Sequence, residues 1–328
     1  MARLSKIKDL SPESSGSGFF LCARKEVRQA KNGEPFLALV LQDATGEIPA
    51  KVFGADAAQS RDQFEAGEFV AVEARANLYQ GRTELILSRI RRVSPAQDRQ
   101  HGFREEDCVP SAPRSIDEMW AELQARIAGV SDPAIRVLLS RIAADHEDRL
   151  RVWPAALTVH HAYRGGLLEH VLQIARNVEA LGRAYDANLD MLFAGAVLHD
   201  IGKLRELDYD SVPVYSREGN LVGHIGIGLM TVRDAAAGIS GLSDERRLEI
   251  EHLVASHHGS RELGSPVEPM TLEAFILAMA DDLDAKVHQV RKHIATDEND
   301  GDFTSYHARL KRVLLKPSPT KPAADREG

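Results

Sequence analysis

The hydrophobic pattern changes its period once along this chain of 328 residues, and that change limits how the chain can fold. Up to about residue 95, short apolar runs separated by turn residues predict β-strands. From Ile116 onward, apolar residues recur three and four positions apart, which is typical of helices that bury one face. A strand-rich part followed by a helix-rich part predicts two separate domains, and the length exceeds one typical hydrophobic core.

The first part predicts five strands with one helix between the third and the fourth. An Asn32-Gly33 pair, the strongest short hairpin signal, separates the first two strands. The strands are predicted at 18–28, 36–42, 48–53, 68–78 and 83–93, and the helix at 57–64. Three strands, a helix and two strands is the order of the OB-fold, a small Greek-key barrel that binds oligonucleotides. Other small barrels share the strand count, so the order favours this fold over them.

The domain limits follow from the same pattern. Residues 1–95 are predicted to form the OB-fold domain, and 96–115 mix proline, charge and small polar residues without a period, as a linker does. A capping box beginning at Ser115 opens the helical part, which predicts an all-α domain over 116–315. The last residues, 316–328, are rich in proline and charge and are predicted to be disordered.

Composition excludes several classes of protein. No run of about 18 apolar residues occurs, so we expect no membrane span. The N-terminus has no apolar signal region and the two cysteines are far apart, so we expect a cytoplasmic protein without a disulfide framework. The net charge of −8 argues against a protein that coats nucleic acid, although residues 1–95 carry +2 and the rest −10. The acidic second part is where a cation site is expected.

Histidine and aspartate side chains end or interrupt apolar helices at five places in the second part. These candidates are His170, His199-Asp200, His224, His257-His258 and Asp281. A charge in an apolar setting such as that of Asp281 is costly unless it is paired or bound to metal. Several imidazoles, a few carboxylates and no thiolate favour Mn²⁺, Fe²⁺ or Zn²⁺ over a pure Mg²⁺ site. The supply of ligands suffices for two ions, an arrangement that activates water and holds a phosphoryl group.

Lys203 lies one turn after Asp200, and its ammonium could neutralise charge that develops on a phosphate or a leaving oxygen. Lys203 and Asp200 are therefore the predicted catalytic residues. The remaining helical histidines stay unassigned, because a single histidine on a helix is more often packed or exposed than a ligand.

The segments that carry these residues resemble a known superfamily. His170, His199-Asp200 and Asp281 resemble the histidine–aspartate (HD) phosphohydrolases, which are all-α, and the additional histidines resemble the two-metal branch. More specifically, the segments HHAYRGGLLEH, AGAVLHDIGKLREL, GNLVGHI, SHHGSRELGSP and ADDLDAK resemble the bacterial YhaM-type 3′–5′ exoribonucleases. That family places an OB-fold ahead of the catalytic domain, so the resemblance spans about residues 15–315.

The resemblance implies roles for particular residues. It makes His170, His199, Asp200 and Asp281 the basic ligand set, and it gives the second ion to His224 with one or both of His257 and His258. His160 and His161 match a pair carried by family members, for which phosphate contact and a structural hydrogen bond are both open. Asp284 is expected to support a ligating histidine or to pair with Lys286, whereas the acidic run that contains Asp282 could equally be a solvated face.

For the barrel, exposed aromatic and basic residues would stack bases and follow phosphates. The candidates are Phe36, Lys51, Phe53, Tyr79 and Arg82. Phe36 and Phe53 are expected in the barrel core, because a small barrel must fill its interior. Tyr79 and Arg82 flank a turn and are the favoured contacts.

The leading hypothesis is a metal-dependent exonuclease that shortens single-stranded RNA from the 3′ end, with single-stranded DNA left open as a substrate. A phosphohydrolase of small nucleotides or cyclic dinucleotides is the first alternative. It is disfavoured because Ser260-Arg261-Glu262 follows His257-His258-Gly259 where the cyclic-dinucleotide branch carries glycine-tyrosine-proline. The second alternative is a non-catalytic nucleic-acid-binding module. The identity of the metal and the oligomeric state stay open.

Overall fold

A computed structural model describes residues 3–30, 33–79, 81–156, 163–209, 213–297 and 299–317. The strands are β1 (Ser15–Gln29), β2 (Pro35–Asp43), β3 (Gly46–Val52), β4 (Phe69–Tyr79), β5 (Arg82–Arg92), β6 (Leu207–Tyr209) and β7 (Pro213–Tyr215). The first helices are α1 (Gly54–Ser60), α2 (Pro95–Asp98), α3 (Ile116–Ala128), α4 (Pro133–Asp145) and α5 (Glu147–Leu150). They are followed by α6 (Gly166–Ala184), α7 (Leu189–Leu198), α8 (Lys203–Glu206), α9 (Arg217–Ala236), α10 (Asp244–Ser256) and α11 (Leu272–Thr296).

Strands β1 to β5 form a closed barrel in the order β1-β2-β3-β5-β4. Neighbouring strands are antiparallel except β3 and β5, which pair in parallel, and β1 closes the barrel by pairing with both β2 and β4. Helix α1 connects β3 to β4. The predicted OB-fold, with its helix after the third strand, is confirmed.

The barrel core follows the alternation of a strand with one buried face. In β2, Leu37, Leu39 and Leu41 point inward and are almost fully buried. Phe36 and Phe53 have the opposite parity, so the expectation that they fill the core is wrong. Phe53 is exposed and Phe36 half-buried, and their rings stack on the outer surface with centroids 5.2 Å apart.

The segment predicted as a linker is folded against the barrel over much of its length. Asp98 in α2 is buried and accepts two hydrogen bonds from the Arg91 guanidinium of β5, at 2.7 and 2.8 Å. Farther along, the buried ring of Phe103 packs edge-on against Phe19 and Phe69, with centroids 5.4 Å apart in both cases. These contacts extend the folded barrel unit beyond its last strand.

The second part of the chain is helical, as predicted, and has one large hydrophobic core. Two features depart from a purely α-helical domain. Strands β6 and β7 form a small antiparallel hairpin between α8 and α9. After α11, the described residues form isolated β-bridges, such as that between Phe303 and Leu315. The tail predicted to be disordered lies outside the described residues from 318 onward. In the described part of the chain, no helix is long and apolar enough to cross a membrane.

Helix α7 is the centre of the helical domain, and its burial places the site. Nearly all of its residues are buried, so it packs on several sides against α4, α6, α10 and α11. Gly195 allows α11 to approach closely, because a Cβ there would lie 2.8 Å from the Leu277 side chain of α11. The C-terminal end of α7, where His199 and Asp200 follow, is therefore held close to α11.

Candidate active site

Five elements of the helical domain bring their histidine and aspartate side chains to one place. His170 projects from α6, His199 and Asp200 follow α7, and Asp281 projects from α11. His224 lies within α9, and His257-His258 follow α10. Their ligand atoms form two groups, His170–His199–Asp281 and His224–His257–His258, and within each group the atoms lie within 4.8 Å of one another.

The two imidazoles of the first group are fully buried in the core of the helical domain. The Nε2 atoms of His170 and His199 are 3.1 Å apart, and both rings are inaccessible to solvent. The Asp281 carboxylate lies 3.2 Å from His170 Nε2. Two imidazoles and a carboxylate that converge at this distance provide three donor atoms for one cation.

The second group offers imidazole nitrogens that the protein leaves without partners. The Nε2 atoms of His224 and His257 are buried and make no hydrogen bond within the described residues. The His258 ring lies beside both, with centroids 5.2 Å from His224 and 4.3 Å from His257. Because an unpaired buried polar atom is costly, this geometry suits a cation bound at the centre of the group.

Each of the five imidazoles is held through its Nδ1 atom, which turns its Nε2 atom toward the site. The Nδ1 contacts are His170 with Asp284 at 3.0 Å, His199 with Ala196 O at 3.0 Å, His224 with Glu206 at 3.1 Å, His257 with Val254 O at 2.8 Å and His258 with Leu263 O at 2.9 Å. A carbonyl or carboxylate at Nδ1 is the arrangement that fixes the ring of a metal-binding histidine. At the four histidines other than His170, this contact leaves Nε2 with its lone pair available.

Asp200 lies between the two groups and faces both. Its Oδ2 atom is 3.3 Å from His199 Nε2 in the first group. Its Oδ1 atom is 3.7 Å from the Nε2 atoms of both His224 and His257, and it has no hydrogen-bond partner within the described part of the chain. A carboxylate with one oxygen toward each group is suited to bridge two ions.

The pKa shifts show that the first group attracts positive charge. Burial opposes protonation of His170, but its hydrogen bonds with Asp281 and Asp284 outweigh burial and raise its pKa to about 9. Burial likewise opposes ionisation of Asp281, yet its hydrogen bond with His170 holds its pKa below the usual value. In the second group, burial and the neighbouring His199 lower the pKa of His257, which keeps that ring neutral and able to bind metal.

Lys203 extends to the same carboxylate from the start of α8. Its Nζ atom lies 2.6 Å from Asp200 Oδ2, and its side chain is largely buried. An open cleft of about 200 Å³ leads from solvent to this point. It is lined by Asp200, Lys203, His257, His258, Leu263, Ala278, Asp281, Asp282 and Ala285. A substrate phosphate entering the cleft would meet both groups and the ammonium.

The residues around the two groups include some that were predicted and one that was not. Asp284 binds His170 as expected, whereas Lys286 pairs with Asp282, at 2.6 Å on the surface. His160 and His161 lie outside the described residues. Glu206, which was not predicted, accepts hydrogen bonds from the backbone and the ring of His224. Its position one turn after Lys203 is the only sequence signal that could have drawn attention to it.

The barrel residues predicted to contact bases and phosphates lie on the outer surface of the barrel. Lys51 Nζ lies 4.4 Å from the centre of the exposed Tyr79 ring and 2.6 Å from the buried carboxylate of Glu84. Arg82 is exposed and pairs across the hairpin with Tyr79. Glu84 already neutralises the Lys51 charge, so the aromatic rings and Arg82 are more available than Lys51 to contact a ligand on this surface.

Comparison with known proteins agrees with both halves of this architecture. Residues 167–286 match the family model of the HD domain, and residues 23–93 match that of an OB-fold nucleic acid binding domain. A curated 3′-5′ exoribonuclease YhaM of Halalkalibacterium halodurans is 34% identical over 94% of this chain and 94% of its own length. The chain belongs to the YhaM family of 3′-5′ exoribonucleases. The YhaM of Bacillus subtilis is 37% identical over 88% of this chain and 90% of its own length.

Membership of the YhaM family confirms the resemblance inferred from the histidine and aspartate segments. The HD domain implies that the chain binds a divalent metal, and the two groups of ligand atoms are compatible with that requirement.

Proposed function

We propose that this chain is a metal-dependent 3′–5′ exoribonuclease that hydrolyses the terminal phosphodiester of single-stranded RNA. Support comes from curated YhaM relatives that are named 3′-5′ exoribonucleases and align over about nine-tenths of the chain. The OB-fold barrel ahead of the HD domain adds a second support, because such barrels hold single strands.

One structural observation carries the proposal: Asp200 directs one oxygen to each of two groups of imidazoles. We assign the first ion to His170, His199, Asp200 and Asp281. We assign the second ion to His224, His257 and His258, with Asp200 shared between the two ions. We propose Mn²⁺ for a donor set that combines imidazoles with carboxylates and has no thiolate, and Fe²⁺, Zn²⁺ and Mg²⁺ are the other candidates.

Two bound ions would supply a Lewis acid for the phosphoryl oxygen and a means of lowering the pKa of a water. The protein contributes position and charge. Asp200 fixes the spacing of the two groups, and Lys203 places an ammonium at the floor of the cleft, where it can donate to a phosphate oxygen. Leu263, Ala278 and Ala285 give the cleft an apolar wall on which the terminal nucleoside can pack.

The barrel would hold the strand upstream of the cleaved bond. Tyr79 and the stacked pair Phe36–Phe53 present aromatic rings on which bases can stack, and Lys51 and Arg82 can contact phosphates. For His160 and His161, a contact with the substrate phosphate remains part of the proposal. Binding at a second domain raises the local concentration of the strand at the site.

A cytoplasmic location completes the proposal. It is supported by the two cysteines, Cys22 and Cys108, which are buried and unpaired in the described structure, as expected in a reducing compartment.

The test is an assay with 5′-labelled single-stranded RNA in the presence of Mn²⁺, Mg²⁺ or chelator. We expect a ladder of successively shorter labelled products with metal and none with chelator, and His199→Ala should abolish the ladder. A parallel panel of single-stranded DNA, free nucleotides and cyclic dinucleotides measures the substrate class. Turnover of nucleotides with RNA left intact would refute the proposal.

A further inference from the structure

A buried carboxylate outside the ligand set holds His224 at two points. Glu206 Oε1 accepts a hydrogen bond from the His224 backbone N–H at 2.9 Å and from its ring Nδ1 at 3.1 Å. The Glu206 side chain is only 12% exposed. Two contacts from one oxygen fix both the start of the helical segment that carries His224 and the rotation of its ring.

The backbone around Glu206 is built to make this contact. Glu206 ends the single turn of α8, and its carbonyl accepts a hydrogen bond from Ser216 N at 2.9 Å, which closes the β6–β7 hairpin. At Gly219, an added Cβ would lie 2.1 Å from the Glu206 carbonyl oxygen. A side chain there would push α9 away from Glu206.

Because α9 is broken just before His224, the backbone N–H of His224 donates to Glu206 instead of to a carbonyl of the same helix. Gly223 has φ 72° and ψ 158°, which is outside the helical region, so the helix starts again at His224. The first N–H groups of a helix have no partner within the helix. Glu206 supplies that partner as well as the partner of the ring.

The same kind of support occurs once in each group. Asp284 holds His170 in the first group through Nδ1 at 3.0 Å, as Glu206 holds His224 in the second. The other three imidazoles rest on backbone carbonyls of their own or a neighbouring turn. Each group therefore has one imidazole whose orientation depends on a carboxylate side chain.

We propose that Glu206 is the positioning residue of the second metal site, and that it sets the affinity of that site independently of the first. This inference rests on the two-ion site of the proposed function. A carboxylate behind a metal-binding imidazole fixes its orientation and raises its basicity, and loss of such a partner typically costs about 10- to 100-fold in metal affinity.

The experiment is a Mn²⁺ titration of the metal-free full-length protein, followed by calorimetry and by electron paramagnetic resonance. The wild type should bind two equivalents and give the spectrum of a coupled Mn²⁺ pair. Glu206→Met fills a similar volume without an acceptor. It should bind the first equivalent normally, bind the second about 10- to 100-fold more weakly, and give the spectrum of an isolated ion at one equivalent.

Two further variants separate positioning from a general structural role. Glu206→Gln keeps an acceptor oxygen for both hydrogen bonds and should recover most of the second affinity. Glu218→Ala removes a carboxylate at the start of α9, where it pairs with Arg205 of α8, and should leave both affinities within about twofold of wild type. This variant is the matched control.

The outcomes distinguish this inference from the proposed function. If the wild type binds no Mn²⁺, the two-ion site itself is wrong. If the wild type binds two ions and Glu206→Met binds both with unchanged affinity, the role of Glu206 is overturned. Equal weakening of both sites by Glu206→Met, or no recovery in Glu206→Gln, would also overturn it, because either result shows a role that is not confined to His224.

Discussion

The replacement Asp200→Asn tests whether this carboxylate serves both groups. The asparagine keeps the shape of the side chain but has only one oxygen. Because Lys203 Nζ lies 2.6 Å from Oδ2, the amide should turn its oxygen toward Lys203 and its NH₂ toward the second group. There it can donate to the Nε2 atoms of His224 and His257, which have no other partner in the described structure. The variant should therefore keep the first ion and lose the second.

The size of the effect follows from linkage between binding and folding. An ion at a hundred times its Kd stabilises the folded state by about 2.7 kcal/mol, so two independent sites add about 5 kcal/mol. For a domain of this size each kcal/mol raises Tm by about 2–4 °C. Saturating Mn²⁺ should thus raise the Tm of the wild-type helical domain by about 10–20 °C, and that of Asp200→Asn by about half as much.

The assay is scanning calorimetry of metal-free protein with and without Mn²⁺. The barrel transition should not move, and Asp208→Asn, which changes an exposed carboxylate of β6 in the helical domain, should behave as the wild type. The metal-induced shift is compared within each variant, because Asp200→Asn also removes the buried ion pair with Lys203 at 2.6 Å and should lower the metal-free Tm. A full metal-induced shift in Asp200→Asn would refute the bridging role.

Three further predictions concern other parts of the molecule. Phe53→Ala or Tyr79→Ala should weaken binding of single-stranded RNA, measured by anisotropy in chelator, by about 1–3 kcal/mol for each lost stacking contact; an unchanged Kd would exclude that ring from the interface. Gly223→Ala should lower the free energy of unfolding by about 1–2 kcal/mol in a denaturant titration, since φ is 72° there, and no loss would show that the break in α9 is unstrained. Hydrogen bonds from Arg91 hold the pKa of Asp98 in the folded protein below its usual 3.8. The contribution of Asp98 to barrel stability should therefore be complete above pH 3.8 and should be lost as the pH falls through the pKa that Asp98 has in the folded protein. Asp98→Asn should remove this part of the pH dependence of unfolding, and an identical profile would contradict the assignment.

The order of the elements could be predicted from the sequence because each depends on a local period. The five barrel strands follow from apolar runs and turns, and the buried helix α7 follows from its almost continuous apolar residues. The expectation that Phe36 lies in the barrel core was wrong for a clear reason. The inward positions Leu37, Leu39 and Leu41 already exclude Phe36 from the core, and only the general need to fill a small barrel argued the other way.

For the site, the residues could be predicted from the sequence but their arrangement could not. The histidine and aspartate candidates could be named because each interrupts an apolar helix, and the structure brings seven of them together. Their division into two groups, with Asp200 between them, depends on how α6, α7, α9, α10 and α11 pack, which no local pattern specifies. The position of Glu206 one turn after Lys203 is a weak signal, and its role could not be predicted because it depends on the β6–β7 hairpin and on the break in α9 at Gly223.

The most direct test of the two-ion site is a crystal structure of the protein with Mn²⁺, with anomalous differences recorded at the manganese edge. Two bound ions should give two peaks about 3.5–4 Å apart, on either side of the Asp200 carboxylate. One should lie among His170, His199 and Asp281, and the other among the imidazoles of the second group. A single peak, or two peaks that do not share Asp200, would contradict it.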